Sequence, residues 1–184
     1  MIAMRKPTLI ILVALACVVT VYDVAAAQKS ELKFKVPPGW VAQERTSSMR
    51  VAQYKLARAE GDTEDASVVL YYFGQGQGGS TAANVERWLS QVKQADGSAA
   101  KDPKQESFEI GNGLKVTTVD VSGTYVAETA PGSGTFHNKP AYRLRAAVVE
   151  TPNGSYYVKL VGPENTVAQW NDSFLGYIKS FEFK

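Results

Sequence analysis

Ala66-Ser67-Val68-Val69-Leu70-Tyr71-Tyr72-Phe73 is the stretch on which the fold turns. It is apolar, β-branched and aromatic, and of strand length. An acidic turn, Glu60-Gly61-Asp62-Thr63-Glu64-Asp65, precedes it, and the glycine cluster Gly74-Gln75-Gly76-Gln77-Gly78-Gly79 follows it. A strand apolar on both sides of its pleat belongs inside a sheet that is covered on both faces.

Upstream, Ala52, Tyr54 and Leu56 alternate with Val51, Gln53 and Lys55, which predicts a strand hairpinned to the central one through the acidic turn. Before it, Leu32, Phe34 and Val36 alternate with Lys33 and Lys35, a second half-buried strand signature. Pro37-Pro38-Gly39 stops that strand, because two prolines remove two ladder donors. Trp40 is expected to pack under the turn as a corner of the core.

Downstream of the glycines, Ser80 or Thr81 can cap a helix whose Val85, Trp88, Leu89 and Val92 fall on one stripe. Next comes a run of strands. Gly111-Asn112-Gly113 reads as a three-residue hairpin loop that sets Phe108 and Ile110 against Leu114 and Val116. The apolar phase then slips near Thr117-Thr118, because Val119 and Val121 continue on the other parity, and a bulge would account for the slip. Val126 to Lys139 is a long loop rich in Gly, Pro and small residues.

Two alternating strands follow, around Tyr142–Val149 and Tyr156–Val161. Taking Pro152-Asn153-Gly154 as a three-residue loop aligns Tyr142, Leu144, Ala146 and Val148 with Tyr156, Val158 and Leu160, since a one-residue slip would carry an apolar row into water. Arg143, Arg145, Tyr157 and Lys159 are then expected together on the opposite face, as a basic-aromatic patch for an anionic ligand or partner. Pro163 and a Thr166/Gln169 capping box predict a closing helix, with Val167, Trp170, Phe174, Ile178 and Phe181 on its buried stripe. Strands joined by hairpin-length links, with two helices, give an α+β domain built on a mainly antiparallel sheet.

Arg5-Lys6, the apolar run Leu9–Val21 and Ala25-Ala26-Ala27 have the three parts of a secretory signal, so residues 1–27 are expected to be a signal peptide and 28–184 a single domain. Removing 27 of 184 residues leaves 157, enough for a real core. Cys17 would leave with the signal, so the exported domain would have no disulfide. Without Arg5, Lys6 and Asp23 there are 18 basic against 17 acidic residues, a balance that argues against nucleic acid. The expected location is periplasmic or extracellular, with membrane attachment only if Leu9–Val21 is retained.

No cofactor or metal signature survives inspection. Gly74-x-Gly76-x-x-Gly79 matches the dinucleotide fingerprint by letter, but the parallel βαβ unit it requires is missing from the pattern. His137 is the only histidine, and Gly132-Ser133-Gly134 is not a nucleophile elbow. The loop that carries His137 is the first place to look for function, because long loops in small domains are commonly functional. Candidate contacts are Phe136, His137 and Lys139 on that loop, Arg143, Arg145, Tyr157 and Lys159 on the basic face, and Gln75 and Gln77 on the connector.

The Pro37-Pro38-Gly39-Trp40 turn, the strand and helix Tyr71–Trp88 with its Asn84-Val85-Glu86-Arg87-Trp88, and the closing Tyr157–Phe181 segment together resemble the PsbP-like and Mog-type α/β/α sandwiches. The likeness spans roughly residues 31 to 183 and includes uncharacterised bacterial secreted proteins. It implies a non-enzymatic accessory or binding module whose partner is another envelope or secreted protein, or a small ligand. No functional residue of that family maps onto this sequence. The alternatives are a hydrolase centred on His137, and a structural envelope component held by an uncleaved N-terminal segment.

Overall fold

The computed structural model describes residues 32–183, so the signal segment 1–27 lies outside the described residues. In chain order the elements are β1 (Leu32–Lys33), β2 (Trp40–Ala42), β3 (Arg50–Leu56), β4 (Ala66–Tyr72), α1 (Thr81–Ser90), β5 (Val92–Lys93) and β6 (Lys104–Ile110). They continue with β7 (Leu114–Tyr125), β8 (Lys139–Thr151), β9 (Gly154–Pro163), α2 (Glu164–Gln169), α3 (Asn171–Lys179) and β10 (Glu182–Phe183). The main sheet runs β2-β3-β4-β9-β8-β7-β5, with β6 also on β7, and every pairing in it is antiparallel. β1 and β10 form a separate two-stranded ribbon.

β4 lies inside the sheet, between β3 and β9, and is apolar on both sides for the reason its composition suggests. Val68 and Leu70 face a core under α2 and α3, where Phe174, Tyr177, Ile178 and Phe181 are fully buried. Val69 and Tyr71 face the other way, toward the layer that carries α1. Val85 and Trp88 of α1, with Val92, pack on Val119, Val121, Leu144, Ala146, Val148 and Tyr157. The architecture is therefore α+β, an antiparallel sheet with a helical layer on each side. Trp40 is buried, contacts the rings of Tyr54 and Tyr177, and donates from Nε1 to Ser173 Oγ at 3.2 Å.

Four local expectations need correction. The closing helix is two helices, broken at Trp170 (φ −96°, ψ 8°). Trp170 breaks the run because its indole packs against Gly39, where an added Cβ would come within 2.8 Å of the ring, and because Nε1 donates to the Ala57 carbonyl at 2.9 Å. The Thr166/Gln169 capping box does not form. The Thr166 hydroxyl and amide instead donate to Asp62 Oδ2 at 2.6 and 2.8 Å, so the β3–β4 loop caps α2 from outside. Those bonds, the hydroxyl's foremost, hold the Asp62 carboxyl below its usual range.

The second pair of corrections concerns parity. β7 has no bulge at Thr117-Thr118: its pairing with β6 and β8 runs unshifted to Gly123, and the irregularity lies between Gly123 and Tyr125. Leu114 and Val116 face the α2–α3 core, and Val119 and Val121 face α1. The apolar residues change parity because the strand passes from one covering layer to the other. The Gly111–Gly113 loop does pair Phe108 with Val116 and Ile110 with Leu114.

At the β8–β9 turn the loop is Pro152-Asn153, with Gly154 (φ +110°) already paired to Thr151. Pro at the second turn position and Gly at the fourth suit this geometry. Ala147 therefore opposes Val158, Arg145 opposes Leu160, and Lys159 opposes Ala146. Arg143 and Arg145 do not share a face with Tyr157 and Lys159. A three-residue loop is expected where one face is wet, but here helices lie on both faces and β8 and β9 bury apolar residues on both parities.

Candidate functional site

α1 has ten residues, about 15 Å of helix, and cannot cover its whole side of the sheet. Ser80 accepts from the Ala83 amide to start it. Buried Asn84 donates to the carbonyls of Gly78 and Ser80 at 2.8 and 2.9 Å, tying the glycine connector to its first turn. Tyr157 holds the connector from below, its hydroxyl donating to Gly79 O at 3.0 Å. A Cβ at Gly78 would stand 2.7 Å from that hydroxyl, which is why glycine is needed there. The connector therefore positions α1 over the sheet, and Gln75 and Gln77 point outward, exposed.

Beyond α1 the sheet face is open, and the 126–139 segment forms one wall of a groove of about 920 Å³. That segment is a small hairpin, with Glu128 bridged to Phe136, Thr129 N–H donating to Thr135 O at 2.8 Å, and His137 N–H to Ala127 O at 2.9 Å. Its acidic member, Glu128, accepts from the Gly132 and Gly134 amides. Tyr71 and Phe73 stack at 6.0 Å on the floor. Tyr125 stacks with His137 at 5.4 Å and with Tyr142 at 6.2 Å.

Lys159 rises from β9 into this aromatic setting. Nζ donates to Gln91 Oε1 at 2.5 Å and to the Tyr125 hydroxyl at 2.9 Å, and lies 5.0 Å from the Tyr125 ring centroid. Burial, and then Arg87 nearby, bring the ammonium down to a pKa of about 8. Burial, aided by Tyr71, pushes the Tyr125 phenol up to about 12. The groove's carboxylates are engaged elsewhere. Lys139 Nζ lies 2.5 Å from Glu64 Oε1, and that bond, with one from Tyr142, keeps Glu64 below its usual range. Asp65 accepts from the Arg58 amide and pairs with Lys55.

The opposite face deals with charge in another way. Asp120 receives Arg143 through Nε at 2.7 Å and Nη2 at 2.5 Å, and Arg145 Nε lies 3.3 Å from Oδ2. Arg145 is buried, bonds Asn171 through Nη1, and lies 5.4 Å from the Phe174 ring centroid. Asp120 holds Arg143 more firmly charged, while burial acts against the charge on Arg145.

Of the residues singled out by sequence, His137, Lys139, Tyr157 and Lys159 come together at the groove. Phe136 is 61% exposed on the 126–139 hairpin, Arg143 and Arg145 serve the other face, and Gln75 and Gln77 stay on the connector. Sequence reasoning missed Tyr71, Tyr125, Tyr142, Gln91, Arg50 and Arg87. Tyr71 and Phe73 on one parity of the Ala66–Phe73 run, with Lys159 paired to Val69 on the same face of the neighbouring strand, are the available signal. Ser133 Oγ, the serine nearest His137 in the sequence, is hydrogen-bonded to Thr129 and to the Thr135 carbonyl. Among the described residues, no group of three or more metal-ligating side chains converges, and no helix is long and apolar enough to cross a membrane.

The sequence matches no family model and no curated protein. Solved structures do match. LpqN, involved in cell envelope biogenesis of Mycobacterium tuberculosis, is similar at 11% identity and a TM-score of 0.50, over 86% of this chain and 87% of its own. Cyanobacterial PsbP (CyanoP) from Synechocystis sp. PCC 6803 is similar at 9% identity and a TM-score of 0.48, over 89% and 99%. PA94 from Pseudomonas aeruginosa, a protein of unknown function, is similar at 13% identity and a TM-score of 0.44, over 85% of each chain. At these identities the likeness speaks to the fold alone.

Proposed function

We propose that this chain is a non-catalytic accessory module of the PsbP-like kind, working outside the cytoplasm and holding a small ligand in the groove beside α1. One observation carries the reading: a preformed concavity of about 920 Å³, floored by stacked aromatic rings and furnished with a few converging polar groups. Ligand sites in proteins are mostly apolar, concave and of this size, with a small number of placed polar atoms.

The test is a fragment panel screened by ligand-observed NMR against wild type and Ser67→Trp. Ser67 is exposed on the groove side of β4, so an indole there fills the groove without entering the core. Hits on wild type that disappear in the folded variant are expected. A panel without hits, or with hits indifferent to Ser67→Trp, contradicts the reading.

A further inference from the structure

We infer that the ligand of this groove carries a carboxylate, seated on Lys159 and the Tyr125 hydroxyl, with a flat or acyl apolar portion lying over Tyr71 and Phe73. The inference rests on the binding reading above and adds the chemical class of the ligand.

Charge complementarity carries it. The acidic side chains that line the groove are all occupied: Glu64 by Lys139 and Tyr142, Asp65 by Lys55 and the Arg58 amide, Glu128 by two backbone amides. Three of its cations are not matched by acid. Among the described residues, Lys159, Arg50 and Arg87 have no carboxylate within 4.0 Å. Arg50 donates to Gln53 and lies over the Tyr71 ring, and Arg87 donates to Asn84. A half-buried ammonium facing neutral partners is costly unless something supplies the missing charge.

Donor geometry narrows the class. Lys159 has three N–H bonds, and Gln91 Oε1 and the Tyr125 oxygen take two of them. The third is free. The Tyr125 oxygen already accepts from Lys159, so its own proton is available to donate, and no acceptor among the described residues takes it. Two donors 2.9 Å apart at their heavy atoms, one of them cationic, suit the two oxygens of a carboxylate. A carboxylate fits these two donors better than a dianionic phosphate, because the guanidiniums of Arg50 and Arg87 are turned to Gln53, the Tyr71 ring and Asn84 instead of to this point. The stacked Tyr71 and Phe73 rings and the apolar Val69 and Val161 provide the surface for the rest of the molecule.

Naphthoate and naphthamide are an isosteric probe pair that differ only in the charged group, and calorimetric titration of wild type with each decides the matter. Naphthoate is expected to bind about tenfold or more tighter, the scale of a hydrogen bond to a charged group. Lys159→Met should erase that preference, and Tyr125→Phe should reduce it. Arg50→Met and Arg87→Met should retain it. Equal affinities on wild type overturn the carboxylate inference while the binding reading stands. A preference that survives in both Lys159→Met and Tyr125→Phe overturns the placement. If neither probe binds, both readings fall. The wild-type ratio is decisive even if a variant does not fold.

Discussion

Beneath α2 and α3 the sheet encloses Arg145 and matches it with Asp120, Asn171 and the Phe174 ring. Beneath α1 it half-encloses Lys159 and matches it only with Gln91 and Tyr125, both neutral. The two cations come from adjacent strands, one register step apart. Their surroundings differ because one helical layer is long enough to close its face and the other is not. A buried charge with a partner maintains the fold, whereas one held without a counter-ion beside a cavity is available for something else.

The comparison is easiest to break on the closed face. Phe174→Ala removes a fully buried ring that packs under Arg145, and a loss of about 3–5 kcal/mol is expected by urea unfolding. A loss near zero would show that this face is not tightly packed. Asp120→Asn leaves Arg145 buried without its counter-charge and replaces one of the two oxygens that accept from Arg143 by an NH2 donor, so a destabilisation of roughly 3 kcal/mol is expected in the same assay. Gly162→Ala would bring a Cβ within 2.5 Å of the Ala66 Cβ, and about 1–3 kcal/mol should be lost to overpacking.

The open face should respond to pH, and with the opposite sign. Lys159 titrates at about 8 when folded against an ordinary 10.5, so the unfolded chain binds more protons between those values. Its charge therefore opposes folding below pH 8, and that opposition is relieved as pH rises through about 8 to 10.5. The wild-type minus Lys159→Met difference in urea midpoint should climb across that window and stay flat below it. A flat difference throughout would mean that Lys159 is fully solvated. Ser67→Trp, the smallest effect, should leave stability within about 0.5 kcal/mol of wild type, since residue 67 is exposed.

Much of the fold was legible in the sequence. β4 announced a doubly covered sheet through its unbroken apolar run, α1 through its Val85/Trp88 stripe, and the β6–β7 hairpin through Gly111-Asn112-Gly113. The β8–β9 register was not legible, although Ala66–Phe73 already implied two covered faces. Once both faces are buried, apolar alternation no longer says which parity points where, and Arg145 reads as a surface residue until Asp120 is placed opposite it. The break at Trp170 was hidden for a similar reason, because its partners Gly39 and Ala57 are far away in sequence.

The groove was half legible. The length of the 126–139 segment drew attention to His137 and Lys139, which do line it. Tyr125 and Gln91 reach Lys159 only through strand order and the packing of α1, and neither has a signature at short spacing.

The central claim is that one face of the sheet is closed and the other receives a ligand. Amide-resolved NMR of the domain, titrated with naphthoate, tests it most directly. The account predicts shifts concentrated at Val69, Tyr71, Tyr125, His137 and Lys159, with Arg145 and Phe174 unmoved. Shifts centred on α3, or none that saturate, would contradict it.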